Sequence, residues 1–421
     1  MYSHRIARMT KLGKIGRRVG GALGGEMAAV ALIVALGVSA WAQEGESATP
    51  ASQGVDRKWV EKQQGKAGFY LRLPEQQRAE NPDFYLSHPL VDAAIVTFKW
   101  KHLEPSPGQY DFSDIDQTLE LCKKHNKGLV MGFSTYGQTP GNQPTPDWLY
   151  EKGVKKITFN GGGVAKGGEI DVPKAWDEAY FAEYEKLIQA LGARYNGAPG
   201  IWSVRPAFGH IGNVNAQPSK GGGPAFLAEG WTPEIWTALC LRVTQAFQSA
   251  FPDTPLIALS AKQLLKDKEH DDYAQEANDI LEKLAKRRVS IISFGLEPEV
   301  EPLVKNNIIG RLAALAPYAL RGEIRVGVGD DWPLWVPEER REKAKFLAHR
   351  DEDGLARELS YAFGGVEGLP ESHVSVMFVL HPEIEASHPD LGPEQNKKLY
   401  DLLAAAHDRL LREDPIAALL K

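Results

Sequence analysis

Carboxylates follow three apolar runs of this sequence, at points where a buried strand would end. Glu297 comes after "VSIISFGL", Asp330 and Asp331 come after "EIRVGVG", and Glu383 follows "VSVMFVL" and a His-Pro pair. Carboxyl groups on opposite sides of a bond can act as a general acid and as a base or nucleophile. We therefore predict Asp330, Asp331 and Glu297 as catalytic residues, with turn capping as the alternative for the aspartate pair.

Aromatic and hydrogen-bonding side chains lie beside the same predicted strand ends. Binding pockets combine aromatic walls with a few polar groups that fix the ligand. The side chains predicted to bind a ligand in this way are Trp100, Glu104, Tyr136, Trp148, His210, Asn213, Trp332, His381 and Glu383. Packing at the rim of the fold is the alternative for the tryptophans. The histidines and Glu383 lack a regular ligand spacing, so no metal site is predicted.

Eight apolar, β-rich runs must position these residues. They are residues 67–73, 92–100, 128–136, 201–208, 255–261, 289–296, 323–329 and 374–380. Such runs suit strands that are buried on both faces, and amphipathic helical patterns lie between most of them. The alternation predicts the α/β class and a (β/α)8 TIM barrel. A doubly wound open sheet is the alternative, but no glycine-rich turn follows the first run.

Two glycine clusters interrupt this alternation, at residues 159–168 and 219–231. Neither has the spacing of a phosphate-binding loop, and no other cofactor motif is found. Both lie in long insertions after the third and fourth runs, on the face where barrel enzymes place their sites. Glycine chemistry alone predicts flexible surface loops there.

The segment "WKHLEPSPGQYDF", residues 100–112, resembles the segment after strand 2 in glycoside hydrolases of the retaining (β/α)8 clan, especially β-galactosidase-like families. "TPDWLY" (145–150) and the helical pattern of residues 171–197 are similar to the following parts of those proteins. Residues 229–256 resemble a segment of uncharacterised barrel relatives. The rigid turn at Pro105–Gly108 gives Glu104 a structural or sugar-positioning role rather than a catalytic one.

The resemblance implies catalytic glutamates at the ends of strands 4 and 7, the first usually preceded by Asn. The fourth run is followed by "GHIGNVN" (209–215), and no carboxylate occurs until Glu229. Depending on the alignment, Val214 or Asn213 has replaced the acid, and an amide cannot donate the proton that this role needs. His210 and Glu229 are the alternative acids.

The N-terminus has the order of a secretory signal peptide. Basic residues are spread through residues 1–26, and the apolar run "MAAVALIVALGVSAWA" (27–42) ends in a small-x-small cleavage site. We predict a signal peptide over 1–42, a polar linker over 43–65 and a barrel over 66–421. An uncleaved membrane anchor is the alternative, because the apolar run is short for a transmembrane helix.

The bulk composition excludes some classes of protein. The net charge of -6 gives no electrostatic reason for nucleic-acid binding, and two cysteines make no disulfide framework. We predict a secreted or periplasmic single-domain barrel that hydrolyses a glycosidic bond in an oligo- or polysaccharide without a cofactor. Its predicted partner is a carbohydrate, with no membrane contact after signal cleavage. The alternative is a non-catalytic carbohydrate-binding barrel that has lost the strand-4 acid.

Overall fold

A closed barrel of eight parallel strands forms the centre of the fold. The computed structural model describes residues 55–137, 141, 143–161, 168–209, 212–214, 216, 222–260, 273–294, 308–329, 334–343, 349–363 and 373–421. Their strands are β1 Gly68–Arg72, β2 Val91–Lys99, β3 Gly128–Ser134, β4 Lys156–Gly161, β5 Gly168–Pro173, β6 Ile201–Arg205, β7 Leu256–Ser260, β8 Val289–Phe294, β9 Val326–Gly329 and β10 Val374–Val379. The barrel order is β1-β10-β9-β8-β7-β6-β3-β2, so the predicted (β/α)8 barrel is confirmed.

Helices cover the outside of the barrel. They are α1 Arg57–Gln63, α2 Glu75–Glu80, α3 Pro82–Ser87, α4 Trp100–Leu103, α5 Ser113–Lys124, α6 Trp148–Glu151, α7 Glu178–Tyr195, α8 Gly222–Ala228, α9 Pro233–Ala250, α10 Tyr273–Ala285, α11 Ile308–Leu320, α12 Glu338–Lys343, α13 Glu352–Ala362, α14 His381–Ser387, α15 Lys397–Arg412 and α16 Pro415–Leu419. The start of α9 shows the local cause: the Thr232 hydroxyl accepts from the Ile235 amide, and Pro233 takes the first helical position.

Side chains alternate between the barrel interior and the layer beneath the helices. On β1, Tyr70 belongs to the interior cluster, whereas Phe69 and Leu71 belong to the outer core. On β10, Val376 and Phe378 lie in the interior in the same way. The alternation follows from the two-residue period of a strand, and it fixes which residue of each strand end points into the barrel.

The N-terminal helix closes one end of the barrel. The Trp59 indole N–H donates to the Glu323 carbonyl (2.8 Å), and the Gln63 side-chain amide donates to the Gly322 carbonyl (2.9 Å). Both acceptors precede β9, at the N-terminal ends of the strands. Part of the predicted 43–65 linker is therefore a helix, Arg57–Gln63. It packs on the barrel because its buried face, with Val60 and Gln63, covers the N-terminal ends of the strands.

Charged groups complete the closure at this end. Arg325 and Asp414 form a bidentate ion pair, with N–O distances of 2.8 and 3.2 Å and both side chains 4% exposed. The Lys66 ammonium donates to the Trp202 carbonyl (3.0 Å), and burial lowers the pKa of Lys66 to about 8. The N-terminal end of the barrel is thus closed by a buried ion pair and by side chains that donate to backbone carbonyls.

Regular structure lies within both glycine clusters among the described residues, whereas glycine content alone predicted flexible loops. β4 and β5 pair as an antiparallel hairpin that brackets residues 162–167, and α8 lies within the second cluster. Phe226 of α8 contacts Phe159 of β4 and Trp176, with ring centroids 6.4 and 5.4 Å apart. The insertions after β3 and β6 therefore share one apolar contact, which glycine content alone did not predict.

The predicted signal peptide, residues 1–42, lies outside the described residues. Within those that are described, no helix has the length and hydropathy to cross a membrane. Cys122 and Cys240 are both buried free thiols.

Candidate functional site

The C-terminal ends of β1, β2, β3 and β6 form a polar half of the barrel mouth. The strand alternation places Arg72, Thr97, Gly132 and Arg205 at inward positions near these ends, and Lys99 and Ser134 follow in the same register at the ends of β2 and β3. Arg72 and Thr97 are exposed, whereas Arg205 is buried at 3% exposure. In barrel enzymes this end of the strands carries the site, so these residues define the candidate site.

Arg205 forms the wall of this half. One guanidinium nitrogen donates to the Thr97 hydroxyl (2.6 Å) and another donates to the Asn213 side-chain oxygen (3.4 Å). A Cβ at Gly132 would lie 2.6 Å from Arg205 Nε, so the guanidinium occupies the space that the glycine leaves. Burial and the nearby Arg72 charge lower the pKa of Arg205 to about 9, which still leaves it cationic at neutral pH.

The opposite half of the mouth is apolar in the described residues. Leu259, Phe294, Phe378 and Leu380 point inward from β7, β8 and the end of β10. The rings of Phe294 and Phe378 are 4.9 Å apart. A Cβ at Gly329 on β9 would lie 2.6 Å from Phe378 Cβ, so glycine admits the phenylalanine there. A polar and an apolar wall therefore face each other across the mouth.

The segment after β6 folds back onto the barrel. The Gly209 amide donates to the Asn213 carbonyl (2.9 Å), and the Val214 amide donates to the Leu259 carbonyl (3.2 Å). The Trp236 indole N–H donates to the Val214 carbonyl (2.7 Å). Gly212 has a φ of 80°, which glycine adopts without strain. Asn213 is thus a fixed hydrogen-bonding residue, and neither Asn213 nor Val214 can supply an acid.

Glu104 uses both carboxylate oxygens inside the protein. One accepts from the Trp100 indole N–H (2.9 Å) and the other from the Gly108 amide (2.7 Å). The Trp148 indole N–H donates to the Glu104 carbonyl (3.0 Å). Burial raises the pKa of Glu104, against the lowering effect of these donors. The structural role predicted for Glu104 accounts for these contacts, and a direct sugar contact does not.

The aromatic residues predicted to bind substrate have buried rings. Trp100 is 1% exposed and packs against Trp148, Tyr180 and Tyr184. Tyr136 is 0% exposed and its hydroxyl donates to the Ala216 carbonyl (3.0 Å). A ring covered on its faces cannot stack on a sugar, so the stacking role is corrected for Trp100 and Tyr136. Trp148, at 8% exposure, belongs to the same core.

The alternative acid Glu229 is held in ion pairs. Its carboxylate lies 2.6 Å from the Lys155 ammonium and 3.5 Å from that of Lys174. The hydrogen bond from Lys155 lowers the pKa of Glu229. A carboxyl with a lowered pKa is ionised at working pH, so Glu229 is a poor proton donor.

Glu383 is a buried carboxyl at the start of α14. It is 0% exposed, and one oxygen accepts from the backbone amides of Leu334 and Trp335. The other oxygen has no hydrogen-bond partner among the described residues. Burial raises the pKa of Glu383 to about 7. Glu383 therefore anchors the chain that follows β9 and does not present a surface to a ligand. His381, the first residue of α14, is half-buried.

The remaining predicted site residues, Glu297, Asp330, Asp331, Trp332 and His210, lie outside the described residues. In the described ranges no group of His, Cys, Asp and Glu is arranged to hold a metal. Sequence reasoning missed Arg72, Thr97 and Arg205, because it gave weight to residues after the strands. Counting inward positions along "AGFYLRL", "DAAIVTFKW" and "IWSVRPAF" is the signal that would have indicated them.

A sequence profile of a family described as beta-galactosidase matches residues 75–209. The beta-galactosidase BgaA of Clostridium cellulovorans is 33% identical over 113 residues, 26% of this chain and 16% of that protein. The beta-galactosidase LacZ of Heyndrickxia coagulans is 24% identical over 273 residues, 61% of this chain and 37% of that protein. The chain thus spans less than half the length of these curated relatives. The predicted resemblance to β-galactosidase-like barrels is confirmed.

Among solved structures, the catalytic domain of a beta-amylase from Paenibacillus polymyxa superimposes with a TM-score of 0.50 at 11% identity. The match covers 76% of this chain and 93% of that one, and at this identity it shows the fold alone. The chain is therefore a glycoside-hydrolase-like barrel. The family match ends at residue 209, before Asn213, so it does not extend over the segment in which the acid is missing.

Proposed function

We propose that this glycoside-hydrolase-like barrel hydrolyses a glycosidic bond in an oligo- or polysaccharide. The observation that carries the proposal is the position of the β-galactosidase match. Residues 75–209 contribute β2, β3 and β6, which are three of the four strands in the polar half of the mouth. The resemblance therefore includes three of the strand ends at the face where barrel enzymes place their sites, which supports the proposal. The names of the relatives make galactosides the first substrates to test.

Asp330, Asp331 and Glu297 are the proposed catalytic carboxylates. They follow β9 and β8 in the sequence, and hydrolysis of a glycosidic bond generally needs two carboxyl groups. One of the adjacent aspartates is proposed as the nucleophile or base. The second carboxyl has to come from a strand other than β6, because Asn213 is an amide, Glu229 is ion-paired and Glu104 is fully engaged.

A weak or missing acid predicts a particular substrate preference. A general acid typically contributes a factor of about 10² to 10⁴ in rate, and it matters least for a good leaving group. Purified protein should therefore release nitrophenol from p-nitrophenyl galactosides slowly and should cleave lactose much more slowly. The double variant Asp330→Ala/Asp331→Ala should lose the activity, while the surface variant Asp408→Asn should retain it. Efficient lactose cleavage that survives the double substitution would place the site elsewhere.

A non-catalytic carbohydrate-binding barrel is the second candidate. The observation that favours it is the fixed Asn213–Val214 segment, which keeps its hydrogen bonds but offers no acid. Titration calorimetry separates the two candidates, since the binding barrel takes up galactose or a galacto-oligosaccharide and leaves both glycosides intact. Hydrolysis that depends on Asp330 or Asp331 would exclude it.

Export from the cytoplasm is part of the proposal. The basic and apolar order of residues 1–42 supports a signal peptide whose removal starts the mature chain near Gln43. N-terminal sequencing of the protein recovered from the periplasm or medium tests this. Full-length protein with Met1 in the soluble cytoplasmic fraction would contradict it.

A further inference from the structure

Three consecutive residues after β9, which we call the β9 anchor (residues 334–336), are hydrogen-bonded to the chain around α13 and α14. One Glu383 oxygen accepts from the amides of both Leu334 and Trp335. The next amide, that of Val336, donates to the Arg350 carbonyl (2.9 Å). Leu334, Trp335 and Val336 are all buried. The backbone of the β9 anchor is therefore fixed over three successive amides.

The Trp335 side chain connects the β9 anchor to α13 and α15. Its indole N–H donates to a Glu352 carboxylate oxygen (3.0 Å), and the same oxygen accepts from the Asn396 side-chain amide (2.7 Å). Glu352 is the first residue of α13. The Asn396 side-chain oxygen caps α15 by accepting from the Leu399 amide (3.0 Å). Contacts with α13, α14 and the start of α15 thus hold the anchor in place.

The β9 anchor follows the proposed catalytic aspartates by a few residues. Asp330 and Asp331 lie outside the described residues, but the chain is described on both sides of them. Gly329, before them, is buried at the end of β9 and pairs in register with Phe294 of β8. Three residues of chain reach at most about 11 Å, so Asp331 stays within that distance of Leu334. The anchor and the strand end together limit where the two carboxyl groups can lie.

The contact between Glu383 and the anchor requires an acceptor at a particular reach rather than a negative charge. Burial raises the pKa of Glu383 to about 7, so its carboxyl group is partly neutral near neutral pH. A neutral carboxyl group still accepts through its carbonyl oxygen. An apolar side chain here would avoid the burial of a carboxyl group, but it would leave two buried amides without an acceptor.

We propose that Glu383 is a positioning residue for glycoside hydrolysis, which holds the β9 anchor and thereby sets where Asp330 and Asp331 lie at the barrel mouth. Glu383 acts through the backbone and touches no sugar, since its side chain is buried. A displacement of about 1 Å in a reacting group can cost about 10²-fold in rate, even when its cause is remote. The inference rests on the proposed function, because Asp330 and Asp331 are catalytic residues of that proposal.

Two substitutions separate the reach of the side chain from its charge. Glu383→Gln keeps an acceptor oxygen at the same reach, whereas Glu383→Asp keeps the carboxyl group but is one methylene shorter. Steady-state kinetics of the full-length protein on a p-nitrophenyl galactoside compare them. We expect kcat of Glu383→Gln to stay within about threefold of the wild type and kcat of Glu383→Asp to fall about tenfold or more. KM should change by less than about twofold in both, because the sugar contacts are not altered.

The matched control is Asp414→Asn at the opposite end of the barrel. It removes one partner of the buried ion pair with Arg325, so it lowers stability without touching the β9 anchor. Denaturation curves show that each variant is folded at the assay temperature, and Asp414→Asn should then keep the wild-type kcat. If Glu383→Asp does not fold, Glu383→Met takes its place, because it has a similar volume and no strong acceptor.

Hydrogen exchange gives a readout that needs no turnover. The peptide containing residues 334–336 should exchange faster in Glu383→Asp than in the wild type, and at the wild-type rate in Glu383→Gln and Asp414→Asn. The exchange and the kinetics are measured on the same preparations. Faster exchange together with a lower kcat is the result that the proposal requires.

Three outcomes would overturn the proposal. Wild-type kcat in Glu383→Asp would show that the anchor does not position the reacting groups. Equal losses in Glu383→Gln and Glu383→Asp would show that reach is not what matters. An equal loss in Asp414→Asn would attribute the effect to general stability. A wild type that cleaves no galactoside would refute the proposed function and the catalytic role of Glu383 together, whereas an active Glu383→Asp refutes that role alone.

Discussion

The two ends of the barrel differ in the partners of their buried arginine side chains. At the N-terminal end, Arg325 meets the Asp414 carboxylate, and both side chains are 4% exposed. At the mouth, the buried Arg205 donates to the neutral oxygens of Thr97 and Asn213 among its contacts, and the Arg72 side chain is exposed to solvent. The sealed end pairs its buried charge with an opposite charge inside the protein, whereas the mouth has one arginine in its buried wall and one exposed to solvent. The difference agrees with the division of barrels into a stability face and a catalytic face.

The largest expected effect comes from breaking the sealed end. Asp414→Asn leaves Arg325 buried without its carboxylate, and removal of one partner from a buried pair costs about 3 to 5 kcal/mol. Chemical denaturation should show this loss in the free energy of unfolding. Asp408→Asn, which removes an exposed partner of Arg412, should cost less than about 1 kcal/mol. Equal effects of the two changes would mean that the sealed end is not specially dependent on its ion pair.

The buried carboxyl beside the mouth has a different kind of partner, and its proton binding can be measured. Asp414 meets a guanidinium, whereas Glu383 meets backbone amides, and burial raises the pKa of Glu383 from 4.5 to about 7. A raised carboxyl pKa means that the folded protein binds the proton more tightly. The stability it contributes is complete below about pH 4.5 and is lost as the pH rises through 7.

Replacing Glu383 measures this titration. Between pH 4.5 and 8 the wild type should lose roughly 3 kcal/mol relative to Glu383→Gln, at about 1.4 kcal/mol for each unit of pKa shift. Denaturation curves at four or five pH values give the difference. The control Glu120→Gln makes the same chemical change at an exposed position of α5 and is measured at the same pH values. A Glu383→Gln profile parallel to the wild type would contradict the raised pKa.

A smaller effect should follow from straining the segment after β6. Gly212→Ala places a Cβ 2.3 Å from the Phe133 carbonyl oxygen at a φ of 80°, so the segment has to move. We expect a loss of about 1 to 3 kcal/mol together with weaker sugar binding, because Asn213 moves with the segment. Gly230→Ala has the same φ of 80° with no atom within 4 Å of the new Cβ, and it isolates the backbone cost. If Gly212→Ala and Gly230→Ala lose the same free energy of unfolding, the close approach of Gly212 to the Phe133 carbonyl is unimportant.

The smallest effect on stability is expected at Arg72. Its side chain is exposed and pairs with no described residue, so Arg72→Gln should change the free energy of unfolding by less than about 0.5 kcal/mol. Thermal unfolding of the variant beside wild type checks this. A clear destabilisation would show that Arg72 serves the fold, and the contrast between the two ends would then disappear.

The fold was predictable because parallel strands buried on both faces leave continuous apolar runs, and all eight runs coincide with barrel strands. The β4–β5 hairpin was missed, although Lys156, Ile157, Thr158 and Phe159 alternate between exposed and buried. The sequence prediction gave more weight to the glycine content than to this alternation, which is the pattern of a strand. The glycine content of a loop indicates how freely its backbone can move. It does not indicate whether an apolar surface is nearby against which the loop can pack.

The site was less predictable for a different physical reason. Trp100 and Tyr136 follow strands in the sequence, but their rings turn into the core beneath the helices. A strand end fixes the direction of side chains only within the strand, and the backbone changes direction immediately after it. The inward positions of Arg72 and Arg205 could have been predicted from the two-residue period of a strand. Each lies within a strand, on the face that points into the barrel.

The contact between the first and last described helices has a consequence for the connectivity of the chain. Val60 of α1 and Leu419 of α16 both approach Gly322, and a Cβ there would lie 2.7 Å from a methyl of each. Residues 57 and 421 therefore lie on the same side of the barrel, away from the mouth. A short peptide joining them would turn the barrel into a covalent ring, and the chain could then be opened at a surface turn between outer helices. Such a circularly permuted protein would keep every strand neighbour while moving its free ends to a chosen place on the rim.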